Sequence, residues 1–142
     1  MTPGHKEVQD IFLNAGEALG YKTQRAFNSY LPSDGIWLHN NNVFSEPLPF
    51  IALEVIVSES RKSLIGSVTT LEEISPTIGI LLVHDKEIHR VNARKGVDMN
   101  IIHRKIDLYL DHLTKLSNRS RQRLVVWTFE NLNWLKKLAL QI

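Results

Sequence analysis

A long apolar run with an acid near its centre is the feature that most constrains the fold of this chain. Residues 50–57 read FIALEVIV, and Glu54 is the charged side chain among them. Such near-continuous apolar and β-branched runs are typical of a strand covered on both faces of a sheet. A carboxylate inside that strand costs on the order of several kcal/mol unless a metal, a partner charge or water compensates it. A shorter apolar run, residues 35–39, directly follows Asp34, so the pattern predicts two neighbouring strands that each carry an acid.

The composition is that of an ordinary globular protein. Of the 142 residues, 43% are hydrophobic and 23% are charged, and the formal net charge is +2. The absence of cysteine excludes disulfides and thiolate metal sites. No apolar run approaches the ~20 residues of a membrane span, and the first residues lack a signal-peptide pattern. We therefore expect a single domain over residues 1–142, in the cytoplasm and without a membrane partner.

Periodicity and turn signals predict an α/β protein. Helical spacing of apolar residues occurs at 8–19, 62–74, 101–116 and 131–140, and strand-like composition at 21–30, 35–39, 50–57, 77–83 and 123–129. Residues 124–134 also fit one continuous helix, residues 40–42 predict a hairpin tip, and residues 85–98 are polar and basic with a glycine suited to a turn. The order of elements predicts a mixed β-sheet flanked by helices.

Asp34 and Glu54 are the candidate metal ligands. Magnesium takes hard oxygen ligands, commonly one or two carboxylates together with water and substrate phosphate. A hairpin between the two predicted strands would bring these carboxylates level. Glu7, near the start of the first helix, is the candidate third ligand, and Glu59 is the less favoured substitute.

Each acid also has a purely structural interpretation. Glu54 would then be a buried partner of Arg25, Lys22 or His39. Asp34 would shape a turn through bonds to the backbone, and Glu7 would be a solvated residue at a helix start.

The order of these motifs resembles that of the PD-(D/E)xK nuclease superfamily, which includes many restriction enzymes and archaeal Holliday-junction resolvases. The resemblance covers roughly residues 1–85: Glu7 in an opening helix, LGY at 19–21, PSDG at 32–35 and IALEV at 51–55. It implies a restriction-endonuclease-like fold with an αβββαβ core plus C-terminal helices. It further implies Mg²⁺ or Mn²⁺ held by Glu7, Asp34 and Glu54, and endonucleolytic hydrolysis of DNA.

One departure from the family pattern concerns catalysis. Ile56 stands two residues after Glu54, where the family carries a lysine that orients water and stabilises transition-state charge. Electrostatic groups of this kind are worth about 10²–10³ in rate. Lys62 is the candidate displaced cation, with Arg61 and Lys22 behind it. The alternatives are a non-catalytic nucleic-acid-binding or assembly protein on the same scaffold, and an unrelated α/β domain whose acids are structural.

Two further patterns concern partners. Arg90, Arg94 and Lys95 belong to a basic cluster that predicts DNA binding through phosphates, and Arg119, Arg121 and Arg123 form a second cluster. The apolar end of the chain, residues 134–142, predicts docking either on the chain's own core or on a second copy in a homodimer.

Overall fold

A five-stranded mixed sheet with helices on both faces is the framework of the protein. The computed structural model describes residues 3–41 and 43–142, with Pro3 described through its backbone alone. The elements in chain order are α1 (Pro3–Ala18), β1 (Lys22–Gln24), β2 (Gly35–His39), β3 (Leu48–Ile56), α2 (Arg61–Ile74), β4 (Ile78–Val83), α3 (Asp85–Arg94), α4 (Met99–Arg119), β5 (Leu124–Thr128) and α5 (Phe129–Ala139). The predicted α/β class is therefore confirmed.

The strands lie in the sheet in the order in which they occur in the chain. β1, β2 and β3 form an antiparallel meander, whereas β3, β4 and β5 are parallel. Parallel neighbours require crossover connections, which α2 supplies between β3 and β4, and which α3 and α4 supply between β4 and β5. The carboxyl ends of β3, β4 and β5 therefore meet at one edge of the sheet.

Alternation along the strands assigns each helix to a face. Gly35, Trp37 and Leu53 share the face covered by α1, where the Phe12 and Trp37 rings stack with centroids 4.8 Å apart. Ile36, Glu54 and Ile56 lie on the opposite face, covered by α2 and α4. Each apolar layer buries a continuous core, as both faces of a doubly covered sheet require.

The structure corrects two local predictions and confirms a third. Residues 85–94 form helix α3 rather than a polar turn region. Residues 124–128 form strand β5, which confirms the predicted strand at 123–129 over the alternative of one continuous helix. The first strand is limited to Lys22–Gln24, because residues 25–33 bend away from the sheet. The predicted hairpin tip at residues 40–42 includes Asn42, which lies outside the described residues.

The C-terminal helix is docked on the chain itself. Leu132, Leu135 and Ala139 of α5 are buried, and the helix packs against α1 and β5. The other side of this segment is exposed, with Trp134 at 61% and Ile142 at 78% of their full accessibility. Within the described ranges, no helix has the length and apolarity needed to cross a membrane.

Candidate functional site

Asp34 and Glu54 occupy directly facing positions on β2 and β3. Gly35 pairs with Leu53 in the antiparallel register, so Asp34, one residue earlier, lies opposite Glu54, one residue later. Residues that face one another across antiparallel strands have Cβ atoms about 4.5–5.5 Å apart. The side chains also share the face covered by α2 and α4, and their carboxyl groups form a hydrogen bond.

Glu54 is almost fully withdrawn from water. Its side chain is 8% exposed, and the neighbouring strand β4 places Leu81 beside it. Burial, followed by the hydrogen bond and charge of Asp34 and the charge of Glu59, raises the pKa of Glu54 to about 10. Without a cation, the Glu54 carboxyl group therefore holds a proton at neutral pH.

The backbone of β2 and β3 fixes the position of Asp34. Its Oδ2 accepts a hydrogen bond from the Val55 amide at 2.7 Å, and its own amide donates to the Leu53 carbonyl at 2.9 Å. From α1, the buried Gln9 donates through Nε2 to the Asp34 carbonyl at 2.7 Å. Arg25 donates to the Gln9 side chain and to Asp10, which occupies this guanidinium away from Glu54. Asp34 is therefore held at its amide, at its carbonyl and at one carboxylate oxygen, which leaves the second oxygen, Oδ1, with little freedom.

Glu59 and His5 border the acidic pair. Burial and the charge of Asp34 raise the pKa of Glu59, while the charge of His5 and a hydrogen bond with Ser63 lower it. His5 Nε2 lies 3.1 Å from the Val55 carbonyl, one residue beyond Glu54. Tyr109 of α4 fixes the segment after β3, because its hydroxyl donates to the Glu59 carbonyl at 3.0 Å and accepts from the Glu59 amide at 3.1 Å. The site is thus an acidic pair with one further acid and one imidazole on its border.

Glu7 contacts a different group. Its Oε2 lies 3.6 Å from Nε2 of His84, the residue that follows β4 and caps α3. His84 is 2% exposed and stacks on Phe129 with ring centroids 4.7 Å apart. Burial lowers the pKa of His84, and the charges of Glu7 and Glu87 oppose that shift. The structure therefore assigns Glu7 to His84, whereas Glu59 is the acid whose charge acts on Glu54.

The basic side chains predicted to assist the Asp34–Glu54 pair are not bonded to it. Ile56 is fully buried in the core and follows Glu54 on the same face of β3. Lys62 is exposed in the first turn of α2. Within the described parts of the chain, neither Lys62 nor Arg61 makes a hydrogen bond or ion pair with Asp34 or Glu54. His5 is the basic side chain that the fold places beside the acids.

The basic cluster predicted to bind DNA is divided. Arg90 donates two hydrogen bonds to the Glu87 carboxylate, one of them at 2.9 Å from Nε, and this bonding lowers the pKa of Glu87. Arg94 and Lys95 are exposed at the end of α3. The second cluster, around Arg121, lies next to the amino ends of β4 and β5, because the Arg123 carbonyl accepts from the Gly79 amide at 2.9 Å.

Comparison of the chain with protein-family models, curated proteins and solved structures gives no significant match. Within residues 3–41 and 43–142, no group of three or more His, Cys, Asp and Glu side chains is arranged to hold a metal ion. The functional argument therefore depends on the acidic pair itself.

Sequence reasoning found the pair but not its surroundings. Alternation and hairpin geometry were enough to place Asp34 opposite Glu54. Gln9 was missed because a glutamine inside an apolar helical stripe gives no sign of its partner. His5 and Glu59 were not recognised as neighbours because 54 positions of chain separate them, and their approach follows from α1 crossing the end of β3. A polar residue inside the apolar stripe of α1 was the available signal for Gln9.

Proposed function

We propose that the protein is a magnesium-dependent DNA endonuclease that hydrolyses phosphodiester bonds at the Asp34–Glu54 pair. The observation that carries the proposal is the placement of two acids opposite one another inside the sheet, with the pKa of Glu54 raised to about 10. Folding has brought together two carboxyl groups that repel one another when both are ionised. A divalent cation relieves that repulsion, as does the proton that Glu54 holds in its absence.

The donor set suits magnesium. Two carboxylates, with water and substrate phosphate in the remaining positions, form the coordination that Mg²⁺ commonly adopts in proteins. Asp34 and Glu54 would hold the ion, and Mn²⁺ has the same oxygen preference. When bound, the ion would polarise the phosphodiester and increase the acidity of water. The supporting structural feature is rigidity, because both acids lie on hydrogen-bonded strands.

The residues around the pair would carry out the remaining steps. Glu59, partly exposed beside the pair, would accept the proton of the attacking water. His5 would remain hydrogen-bonded to the Val55 carbonyl and would hold the charge of Glu59 in place. Arg94 and Lys95 would contact phosphates outside the cleavage position. In this proposal Lys62 is a solvent-exposed cation near the entrance, and the site lacks the buried lysine of the nuclease family.

A second function is favoured by one observation. Ile56 is fully buried where the nuclease family carries its lysine, so the scaffold can bind DNA and a cation without cutting. In that case the protein is a non-catalytic nucleic-acid-binding or assembly component. Both proposed functions assume a restriction-endonuclease-like fold. The order αβββαβ at the start of the chain supports that assumption.

The deciding experiment is cleavage of supercoiled plasmid and of a four-way junction in Mg²⁺ or Mn²⁺. Asp34→Asn and Glu54→Gln are the test variants, because they keep side-chain size while removing charge. Glu73→Gln, an exposed acid of α2, is the matched control. Nuclease function predicts that both test variants lose about 10²-fold or more in rate while the control retains activity. Salt-sensitive DNA binding without cleavage by the parent protein would instead support the non-catalytic function.

Self-association is the proposal that the apolar C-terminal surface supports. Trp134, Leu138, Leu140 and Ile142 are exposed. Leu140 also lines a groove of about 270 Å³ between α1 and α5. Asp10 borders this groove but pairs with Arg25, so the apolar side chains would make the contact between two copies related by a twofold axis. Light scattering at working concentration tests this, and a monomer at every concentration would exclude the homodimer.

A further inference from the structure

A groove between α3 and α4 contains donor side chains that take no part in the proposed nuclease site. It encloses about 510 Å³ and is lined by Asp85, Lys86, His89, His103, Ile106 and Asp107. Met99, at the start of α4, is 51% exposed next to this groove. A solute can therefore reach these side chains without movement of the sheet.

The spacing of the donors directs them into the groove. His89 follows Asp85 by four positions on α3, and Met99, His103 and Asp107 follow one another at four-residue intervals on α4. Side chains four residues apart lie on the same face of a helix. The two helices therefore present one imidazole from α3 and a thioether and an imidazole from α4 toward one another.

The observed distances suit coordination of one ion. His89 Nε2 lies 2.9 Å from Met99 Sδ, and the ring centroids of His89 and His103 are 6.2 Å apart. A metal–nitrogen bond of about 2.0–2.1 Å places an imidazole centroid roughly 3.2 Å from the ion, so two rings on one ion have centroids about 5–6.5 Å apart. The observed separation lies in this interval, toward a wide nitrogen–metal–nitrogen angle. The 2.9 Å between His89 Nε2 and Met99 Sδ corresponds to a nitrogen–metal–sulfur angle of about 85° for bonds of about 2.0 and 2.3 Å.

We propose that His89, Met99 and His103 form a binding site for one Cu(I) ion. A thioether selects a soft ion, and imidazole is also a good copper ligand. Cu(I) accepts a T-shaped three-coordinate geometry, with two nitrogens at a wide angle and a third donor nearly perpendicular to them, and this trio offers that arrangement. Within the described residues His, Cys, Asp and Glu alone form no three-donor set, so Met99 completes the site. The proposal does not depend on the nuclease function.

The charges around the trio favour a cation. Asp85 and Asp107 lie on the groove wall and contribute negative charge. Lys86, the base on the same wall, directs its Nζ over the Phe129 ring at 4.9 Å from the centroid. That contact satisfies the ammonium group away from the histidines.

Cu(I) binding is tested by anaerobic titration against a chromophoric Cu(I) chelator, with the full-length protein. Single substitutions His89→Gln, His103→Gln and Met99→Leu remove one donor each, and His112→Gln on the same helix is the matched control. We expect one equivalent of Cu(I) in the parent and control, and a weakening of about tenfold or more in each donor variant. X-ray absorption should show one sulfur neighbour of copper that disappears in Met99→Leu.

Four results would overturn the proposal, three of them obtained with copper and one with Zn²⁺. The first is no competition with the chelator at micromolar protein, and the second is binding that survives all three donor substitutions. The third is a sulfur signal that persists in Met99→Leu, which would place the copper on Met1. Zn²⁺ is titrated in parallel, because tighter Zn²⁺ binding that is indifferent to Met99→Leu would identify a borderline-metal site instead of a soft one. Circular dichroism of each variant verifies that the loss of binding is not a loss of fold.

Discussion

The raised pKa of Glu54, which faces Asp34 across two strands, sets this residue apart from the other described acids. The ordinary pKa of a glutamate is 4.5, whereas burial and the facing acid raise the pKa of Glu54 to about 10. Its immediate cause is the removal of water by strands β3 and β4, and the charge of Asp34 adds to it. Of the basic partners considered for Glu54 in the structural interpretation, Arg25 contacts Gln9 and Asp10 instead.

Glu54 should make the protein less stable as the pH rises. An acid whose pKa is raised by folding binds more protons in the native state than in the unfolded state, between its unfolded pKa of 4.5 and its folded pKa of about 10. The unfolding free energy should therefore fall through this window, by at most about 1.4 kcal/mol per pH unit. Glu54→Gln should show a shallower pH dependence and should be the more stable protein at pH 9.

Urea unfolding between pH 7 and pH 9 measures the effect, roughly above the range in which an unfolded histidine titrates. This pH range also excludes the effect of His84 on stability. Burial lowers the pKa of His84, so its titration changes the unfolding free energy only at lower pH. Glu73→Gln is the control and should retain the slope of the parent. Parallel curves for the parent and Glu54→Gln would show that Glu54 is ionised in the folded protein. Saturating Mg²⁺ should flatten the parent curve if the proposed ion displaces the proton of Glu54.

At the scale of elements, the sequence predicted the helices and strands whose positions are set by a local pattern of apolar residues. β2, α2, β4 and β5 lie within one or two residues of their predicted bounds because an apolar repeat or a glycine or proline marks each one. Helix α3 was missed because its mean composition is polar. Its stability comes from Asp85 and Glu87 in the first turn and from the capping His84, with Ile88 as its fully buried apolar residue. Such a helix depends on tertiary contacts that no local pattern displays.

Two glycines of neighbouring elements should respond oppositely to the same change. Gly79 begins the buried part of β4, and a Cβ added there would lie 2.6 Å from Leu124 Cδ2 and 3.2 Å from Leu71 Cδ1. Gly79→Ala should therefore cost about 1–3 kcal/mol of unfolding free energy through overpacking. Gly66, exposed within α2, has no atom within 4 Å of an added Cβ. Gly66→Ala should stabilise by about 0.5–1 kcal/mol through helix propensity.

Thermal and urea unfolding of both variants test this pair of predictions. Gly66→Ala is the matched control, because it introduces the same methyl group into the helix that packs on β4. Equal effects of the two substitutions would show that α2 and β5 do not approach β4 as closely as described. A neutral Gly79→Ala would show that Leu124 and Leu71 reorient at no cost.

At the scale of the molecule, parallel strands separate the two basic clusters. The Asp34–Glu54 pair and Glu59 lie toward the carboxyl ends of β3 and β4, and α3 begins at that edge. Residues 119–123 precede β5 and lie at its opposite edge, next to Gly79. Helix α4, 21 residues long, spans the distance between them, which is about 30 Å. The sequence displayed both clusters but could not separate them, since that division depends on strand direction.

DNA that reaches the acidic pair should therefore contact the α3 cluster and not the β5 cluster. This prediction depends on the proposed function, and salt dependence of binding measures it. The logarithm of the binding constant falls with the logarithm of salt concentration by about 0.9 for each phosphate contact in duplex DNA. The double variant Arg94→Ala/Lys95→Ala should lose up to two contacts and reduce the slope by about 1.8. The matched double variant Arg119→Ala/Arg121→Ala has the same charge change and should keep the parent slope.

The opposite result, a reduced slope in Arg119→Ala/Arg121→Ala alone, would place DNA at the amino ends of the strands, where it could not approach Glu54. A loss in both variants would mean that DNA follows α4 along its length, and equal slopes in all three proteins would remove both clusters from the interface.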